Sequence, residues 1–263
     1  MTDSRPLLAD RLYRSAVGAL GSAEHLQVAG LLGEARRTVF DRQAALEVRA
    51  LLDRNPWAFE SNLDAIRPPS SPEWYEWPLE TRAGHGGGDS AVTGCLVVPH
   101  PQEYGTIVVV TGWDDGSGMA RHAYAVAIID LAHLYEHAFA ARTRFSRTPD
   151  ESLERMMASV SVYMPNGFGD EIDIMTDGSR EAREAAMRDA TAEVPFLLAL
   201  IVALGSKGGF VRACGEGAEH VSLAPPLKPG LAAAAAAWLT RRPVPAFSRR
   251  VRNGAVELSW SRA

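Results

Sequence analysis

The proline-rich stretch between residues 54 and 72 constrains what this chain can fold into more than any other feature. Pro56, Pro68, Pro69 and Pro72, with Ser70 and Ser71 among them, lack backbone donors and push the preceding residues away from helix. On its N-terminal side the texture is helical. Residues 6–53 predict three helical segments punctuated near Gly21 and Gly33. The last of them is the clearest, because Phe40, Ala44, Val48, Leu51 and Leu52 recur at helical spacing with Arg42, Glu47, Arg49 and Asp53 between them. From Trp74 onward the texture changes to short apolar or alternating runs bounded by Gly, Pro and Asp, which is how strands read. The expected organisation is a helical N-terminal region (1–56), a Pro-rich linker (57–72) and an α+β domain (73–263).

Six strands are predicted after the linker: Glu73 to Arg82, Thr93 to Pro99, Thr106 to Gly112, Ser159 to Met164, Glu171 to Met175 and Phe210 to Cys214. Phe247 to Val251 and Ala255 to Trp260 flank Arg252-Asn253-Gly254, and an Asn-Gly step supplies the positive dihedrals of a tight hairpin turn. Ser179 to Glu193 reads as a polar, alanine-rich helix. Pro195 interrupts it, and a second, buried helix follows to Leu204 with Gly205 as its cap. Leu231 to Thr240, rich in alanine, is another short helix. Strands and helices come in blocks, so the fold class is α+β: a helical N-terminal segment, then a mostly antiparallel sheet with a few packed helices and a C-terminal β-hairpin.

The 263 residues, 46% hydrophobic and 22% charged, are those of a globular chain able to bury a sizeable core. The opening Met1-Thr2-Asp3-Ser4-Arg5-Pro6 carries no basic stretch followed by an apolar run, so no secretory signal is read and a cytoplasmic location is expected. The uncharged run Val194 to Leu204 is about half the roughly twenty residues of a membrane span, so no membrane association is expected. Cys95 and Cys214 are far apart and outside any C-x-x-C pair, which excludes a cysteine zinc site or a disulfide framework and leaves two small buried side chains. The net charge of −5 is uneven: residues 241–263 hold six arginines against one glutamate. Arg241, Arg242, Arg249, Arg250 and Arg252 offer a nucleic-acid contact, but with only Phe247 interleaved they read first as a solvated basic hairpin.

His133-Leu134-Tyr135-Glu136-His137 matches the H-x-x-E-H pattern of one class of zinc hydrolases. On a helix, His133 and His137 lie four apart on one face and both can ligate a metal, while Glu136 serves as the base that activates a bound water. The segment Arg121 to Arg142 has neither Gly nor Pro and permits that helix; the alternation of Tyr124, Val126, Ile128 and Asp130 equally permits a strand before His133. A two-histidine site needs a third protein ligand, for which Glu181, Glu184 and Glu193 are candidates. Two glycine-rich stretches, Gly84 to Gly88 and Gly205 to Gly209, lack the full phosphate-loop spacing and read as flexible loops. Asp170, Glu171, Asp173 and Asp177 alternate with Ile172 and Ile174 as in an exposed strand rather than a calcium loop. Asp114 and Asp115 follow the apolar strand Ile107 to Val110, where carboxylates can hold a metal or act as acid and base, although Trp113-Asp114-Asp115-Gly116 is also a turn sequence.

Residues 132–143, Ala-His-Leu-Tyr-Glu-His-Ala-Phe-Ala-Ala-Arg-Thr, resemble the active-site helix of pitrilysin-type metallopeptidases. That resemblance implies zinc, held by His133 and His137, with Glu136 catalytic and a glutamate some seventy-five residues further on as third ligand. The corresponding stretch here is Cys214-Gly215-Glu216-Gly217, which is turn-like. A longer resemblance runs through Trp74-Tyr75-Glu76-Trp77-Pro78, then Pro195 to Leu200 with Leu204-Gly205-Ser206-Lys207, then Arg242-Pro243-Val244-Pro245-Ala246-Phe247. This layout looks like that of a divergent member of uncharacterised tailed-phage and prophage-encoded proteins. It implies a cytoplasmic protein from a mobile element and brings no activity with it. The leading expectation is a non-catalytic, cofactor-free protein that binds a macromolecular partner, most simply a protein, through Trp57, Phe59, Trp74, Tyr75 and Trp77; core packing is the competing account of those aromatics. The alternative is a zinc-dependent hydrolase using His133, His137 and Glu136.

Overall fold

The computed structural model describes residues 6–18, 23–79, 91–143, 148–205, 210–215, 217–223, 247–252 and 255–260. In chain order the elements are α1 (Leu8–Gly18), α2 (Ala23–Glu34), β1 (Arg36–Phe40), α3 (Arg42–Arg54), α4 (Pro56–Glu60), a 3-10 turn (Leu63–Ala65), β2 (Glu73–Pro78), β3 (Val92–Pro99), β4 (Thr106–Asp114), β5 (Arg121–His122) and β6 (Val126–Asp130). They continue with α5 (Leu131–Thr143), α6 (Pro149–Ala158), β7 (Val160–Tyr163), α7 (Asn166–Thr176), α8 (Arg180–Thr191), α9 (Val194–Gly205), β8 (Phe210–Gly215) and β9 (Ala218–Leu223), and end in β10 (Phe247–Arg252) and β11 (Ala255–Trp260).

A nine-stranded sheet runs in the order β7-β6-β4-β3-β2-β1-β9-β8, with β5 appended to β4. Pairing is antiparallel from β2 to β7 and between β8 and β9. Only β1 runs parallel to its neighbours, β2 and β9. The class is α+β.

Strand side chains alternate between two cores, as the period of two requires. Tyr75, Trp77, Cys95, Val97, Ile107 and Val109 face one side, packed by α3, α4, α5, α6 and α9. Trp74, Leu96, Val98, Val110 and Val126 face the other, covered by α1, α2 and α7. The central strands read as near-continuous apolar runs because helices cover both faces.

Several expected elements stand, with shifted ends. β2, β3, β4, β7 and β8 replace the expected runs, α8 and α9 divide where Pro195 predicted, and β10 and β11 pair from Phe247↔Trp260 to Arg252↔Ala255. Their Asn253-Gly254 turn lies outside the described residues, as do the expected helix from Leu231 to Thr240, the loop Gly84 to Gly88 and all of Gly205 to Gly209 after its first residue.

Two assignments are corrected. Within the N-terminal region expected to be helical, residues 36–40 form β1 in the interior of the sheet, hydrogen-bonded along both edges by β2 and β9. The expected strand Glu171 to Met175 belongs to helix α7, whose Phe168 and Ile172, four apart, are its buried side chains.

Of the prolines in the expected linker, Pro56 opens α4 at its first turn, where a missing donor costs nothing. The aromatics around it are core: Phe59, Trp74, Tyr75 and Trp77 are buried and Trp57 is half-buried, its indole Nε1 donating to the Ala141 carbonyl at 3.1 Å. Core packing is therefore the account of these side chains, and no exposed aromatic docking face exists among them. Cys95 is buried as expected, whereas Cys214 is exposed on β8. No helix among the described residues is long and apolar enough to cross a membrane.

Candidate functional site

Both readings of the segment before His133 are partly realised. Residues 126–130 are strand β6, and Leu131 begins α5. Asp130 caps that helix, its Oδ1 accepting from the backbone of Ala132 at 2.9 Å and His133 at 3.3 Å. His133 and His137 consequently share a face, with rings nearly parallel and centroids 5.2 Å apart. His133 and Glu136 are exposed and His137 is half-buried, its Nε2 shielded from solvent and without a hydrogen-bond partner. Burial, then the neighbouring His133, pushes the His137 imidazole below its ordinary pKa.

A third ligand does not join them. Among the described residues no group of three His, Cys, Asp or Glu side chains is arranged to hold a metal ion. The candidate carboxylates are engaged elsewhere: Glu181 accepts from the Ser179 hydroxyl at 2.9 Å and Glu184 from Arg180 at 2.8 Å. Glu193 is buried 3.6 Å from Arg49. Helix α8, which carries the first two, packs on β4, β6, β7, α7 and α9 rather than on α5. Among the described residues the motif supplies two ligands of a zinc site that needs three, and these residues do not fit zinc. The other face of α5 is structural. Tyr135 donates its hydroxyl to the Ile66 carbonyl at 2.6 Å, and Arg142 reaches the Ser61 carbonyl at 2.9 Å and pairs with Asp64.

A different group of side chains converges at the opposite face. It is built on β5, two residues that pair with β4 as Gly112↔His122 and Trp113↔Arg121. Asp114 shapes the turn between these strands: its Oδ1 accepts from Gly116 at 2.8 Å and Gly118 at 3.0 Å, and its other oxygen pairs with Arg11 of α1. Gly116 and Gly118 have φ of 97° and 86°, a region that suits glycine. Of the two readings of Asp114, turn residue and strand-end acid or base, the structure has the turn: Asp114 is a buried turn-former.

Helix α7 is seated against α2 by Glu24, whose carboxylate accepts from the Gly167 backbone at 3.0 Å. An added Cβ at Gly167 would run into that carboxylate, which would have to swing aside.

This seating presents Phe168 and Glu171 to His25 of α2 and His122 of β5. The imidazole centroids of His25 and His122 are 4.7 Å apart, and Phe168 lies 5.0 Å from the first and 5.2 Å from the second. His25 Nδ1 is 3.5 Å from Glu171 Oε2. The hydroxyl of Tyr124, two residues after His122, adjoins the Glu171 carboxylate. His122 Nδ1 lies 2.9 Å from the Ala123 carbonyl; a carbonyl only accepts, so Nδ1 carries the proton and Nε2 holds a lone pair. Burial, then the adjacent His25, lowers the His122 pKa, and burial, then the Glu171 carboxylate, raises that of Tyr124.

These groups line one end of a cleft of about 490 Å³. Its apolar walls come from Leu12 and Ala16 on α1, Ile172 and Met175 on α7, and Ala182 and Ala186 on α8. Sequence reasoning missed this site, because its residues come from four separate stretches. The one local signal was that His122 extends the alternation of Tyr124 and Val126, which places His122 and Tyr124 on the same face of an extended segment.

The chain matches no known protein-family model, no curated protein and no solved structure. Segments that carry the phage-type layout are core elements: Trp74 to Trp77 are buried in β2, and Phe196 to Leu200 in α9.

Proposed function

We propose that this chain is a binding protein for a small organic molecule held in the cleft between β5, α1, α2, α7 and α8. The observation that carries the reading is the His25, His122, Tyr124 and Glu171 cluster at one end of a largely apolar cleft of about 490 Å³. That size lies within the roughly 300–1,000 Å³ of small-ligand sites, which combine apolar walls with a few convergent polar groups. A shifted pKa beside the cleft, lowered at His122 and raised at Tyr124, adds to it. Docking of a macromolecule through the aromatics around residues 57–77 has no comparable support, since those side chains fill the core.

The test is an NMR titration of the protein with 2-phenylethanol, a neutral probe whose ring suits the apolar walls. Expected are shifts at His122, Ile172 and Met175, abolished in Ala185→Trp, which fills the cleft. Shifts that map elsewhere, or that persist in Ala185→Trp, would overturn the proposal.

A further inference from the structure

The polar end of this cleft is assembled almost wholly from hydrogen-bond acceptors. Glu171 is a carboxylate. The Tyr124 hydroxyl adjoins Glu171, towards whose carboxylate its one proton is drawn. His122 has committed its proton to the Ala123 carbonyl and turns an acceptor nitrogen away from it. Its burial disfavours a second proton, so the ring stays neutral near pH 7. His25 directs Nδ1 at Glu171, 3.5 Å away.

The remaining charged groups do not reverse this balance. Asp189 lines the cleft and contributes a second carboxylate, while Arg121 contributes a cation. Arg121 alternates with His122 along β5, is exposed, and neighbours the Asp115 carboxylate, whose pKa it helps to lower. Beside the acceptors the Tyr124 ring lines the cleft, backed by the buried Phe168 5.8 Å away. Aromatic faces attract cations. The walls are mostly alanine, leucine, isoleucine and methionine, with Ser15, Trp113 and Thr176 as the uncharged hydrogen-bonding side chains among them.

We infer that the cleft takes a primary or secondary amine carrying an apolar, ring-sized body. Its ammonium donates to Glu171 and to the His122 ring nitrogen that the Ala123 carbonyl leaves unused, and its body lies between α1, α7 and α8. This inference rests on the small-molecule reading above and names the chemical class of the ligand. A carboxylate ligand is disfavoured because it would meet the Glu171 and Asp189 carboxylates, with Arg121 the one cation in the lining.

The test compares three probes of one shape, 2-phenylethylamine, 2-phenylethanol and phenylacetate, titrated into the full chain at neutral pH by calorimetry and NMR. The expected order is amine, then alcohol, then acid, with the amine at least about tenfold tighter than the alcohol, the scale of one charge-assisted hydrogen bond. Glu171→Gln should bring amine and alcohol to within about twofold of each other. Lowering the pH from the ordinary histidine value of about 6.5 towards the lowered His122 pKa should weaken the amine and spare the alcohol.

If the alcohol or the acid binds in the cleft as tightly as the amine, the amine inference falls and the small-molecule reading stands. If none of the three shifts the resonances of His122 and Ile172, both fall. The three-probe comparison on the unmodified chain decides the matter even if Glu171→Gln does not fold.

Discussion

Replacing Glu76 by leucine should detach α1 from the sheet and cost a large share of the chain's stability. Glu76 is 5% exposed on β2, and its carboxylate accepts from the Leu8 backbone at 3.0 and 3.1 Å and from the Trp74 indole at 3.0 Å. Leu8 opens α1, whose first backbone donors have no partner within the helix. Leucine fills similar space but accepts nothing, so two donors, both on residues at most 1% exposed, are left unpaired. At about 1–3 kcal/mol for each unsatisfied buried donor, the loss is about 2–6 kcal/mol, against a total of about 5–15 for ordinary domains. Glutamine retains one acceptor oxygen and should fall between the two.

The pH dependence has a definite sign. Burial, outweighing the Trp74 and Leu8 donors, raises the Glu76 pKa above its ordinary value, so the folded chain binds this proton more tightly than the unfolded chain does. The cost of burying the charge is absent below the unfolded pKa and grows as pH rises towards the folded one. Urea denaturation followed by circular dichroism, repeated across pH, reads both effects, and hydrogen exchange in α1 locates them. A Glu76→Leu protein within about 0.5 kcal/mol of the parent would refute the reasoning, as would a stability difference between parent and Glu76→Gln that moves in the parent's favour as pH rises above about 4.5.

Gly94→Ala should destabilise by about 3 kcal/mol or more, because the added Cβ would lie 2.6 Å from the Tyr75 carbonyl and closer still to the Trp74 ring; thermal melting checks it, and a shift in midpoint under about 2 °C would count against the packing described. For His122, the lowered folded pKa means that stability is fully present above its ordinary value and declines as pH falls through about 6.5 towards the folded pKa. His122→Phe should remove that part of the acid-side decline in a melting series, and an unchanged decline would mean that the imidazole is not the group responsible.

The sequence announced those elements whose cause is local. Alternating apolar runs bounded by turn residues marked β3 and β4, and the missing donor of Pro195 separated α8 from α9. What escaped has distant causes. Arg36-Arg37-Thr38-Val39-Phe40 carries two arginines and no flanking hairpin, and it becomes β1 because β2 and β9 supply its hydrogen bonds from far along the chain. Its arginines are accommodated by ion pairs at the surface, Arg37 with Asp10 at 2.6 Å and Arg36 with Glu219 at 2.8 Å, which no window of sequence could foresee. Phe40 was read into the stripe of the following helix when it belongs to the core beneath the sheet. The Glu171 region erred the other way: acids alternating with isoleucines have a strand's period, but only Phe168 and Ile172 are buried, at a helix's spacing.

The same division explains why a motif drew attention and the cleft did not. His133, Glu136 and His137 are adjacent in sequence, so their pattern is visible at once, and the helix they require is present. Yet a metal site is a convergence of several elements, and the motif supplies the ligands of only one. His25, His122, Tyr124 and Glu171 are the reverse case: no two form a recognised spacing, while α2, β5 and α7 bring them to one end of one cleft. What assembles them is legible only afterwards, in a glycine at 167 that admits Glu24 and in an aspartate at 114 that folds the turn before β5. Residues that looked like chemistry at 114 and 136 stand at a turn and on an exposed helix face, and the groups whose protonation the fold has altered at the cleft, His122 and Tyr124, carried no motif at all.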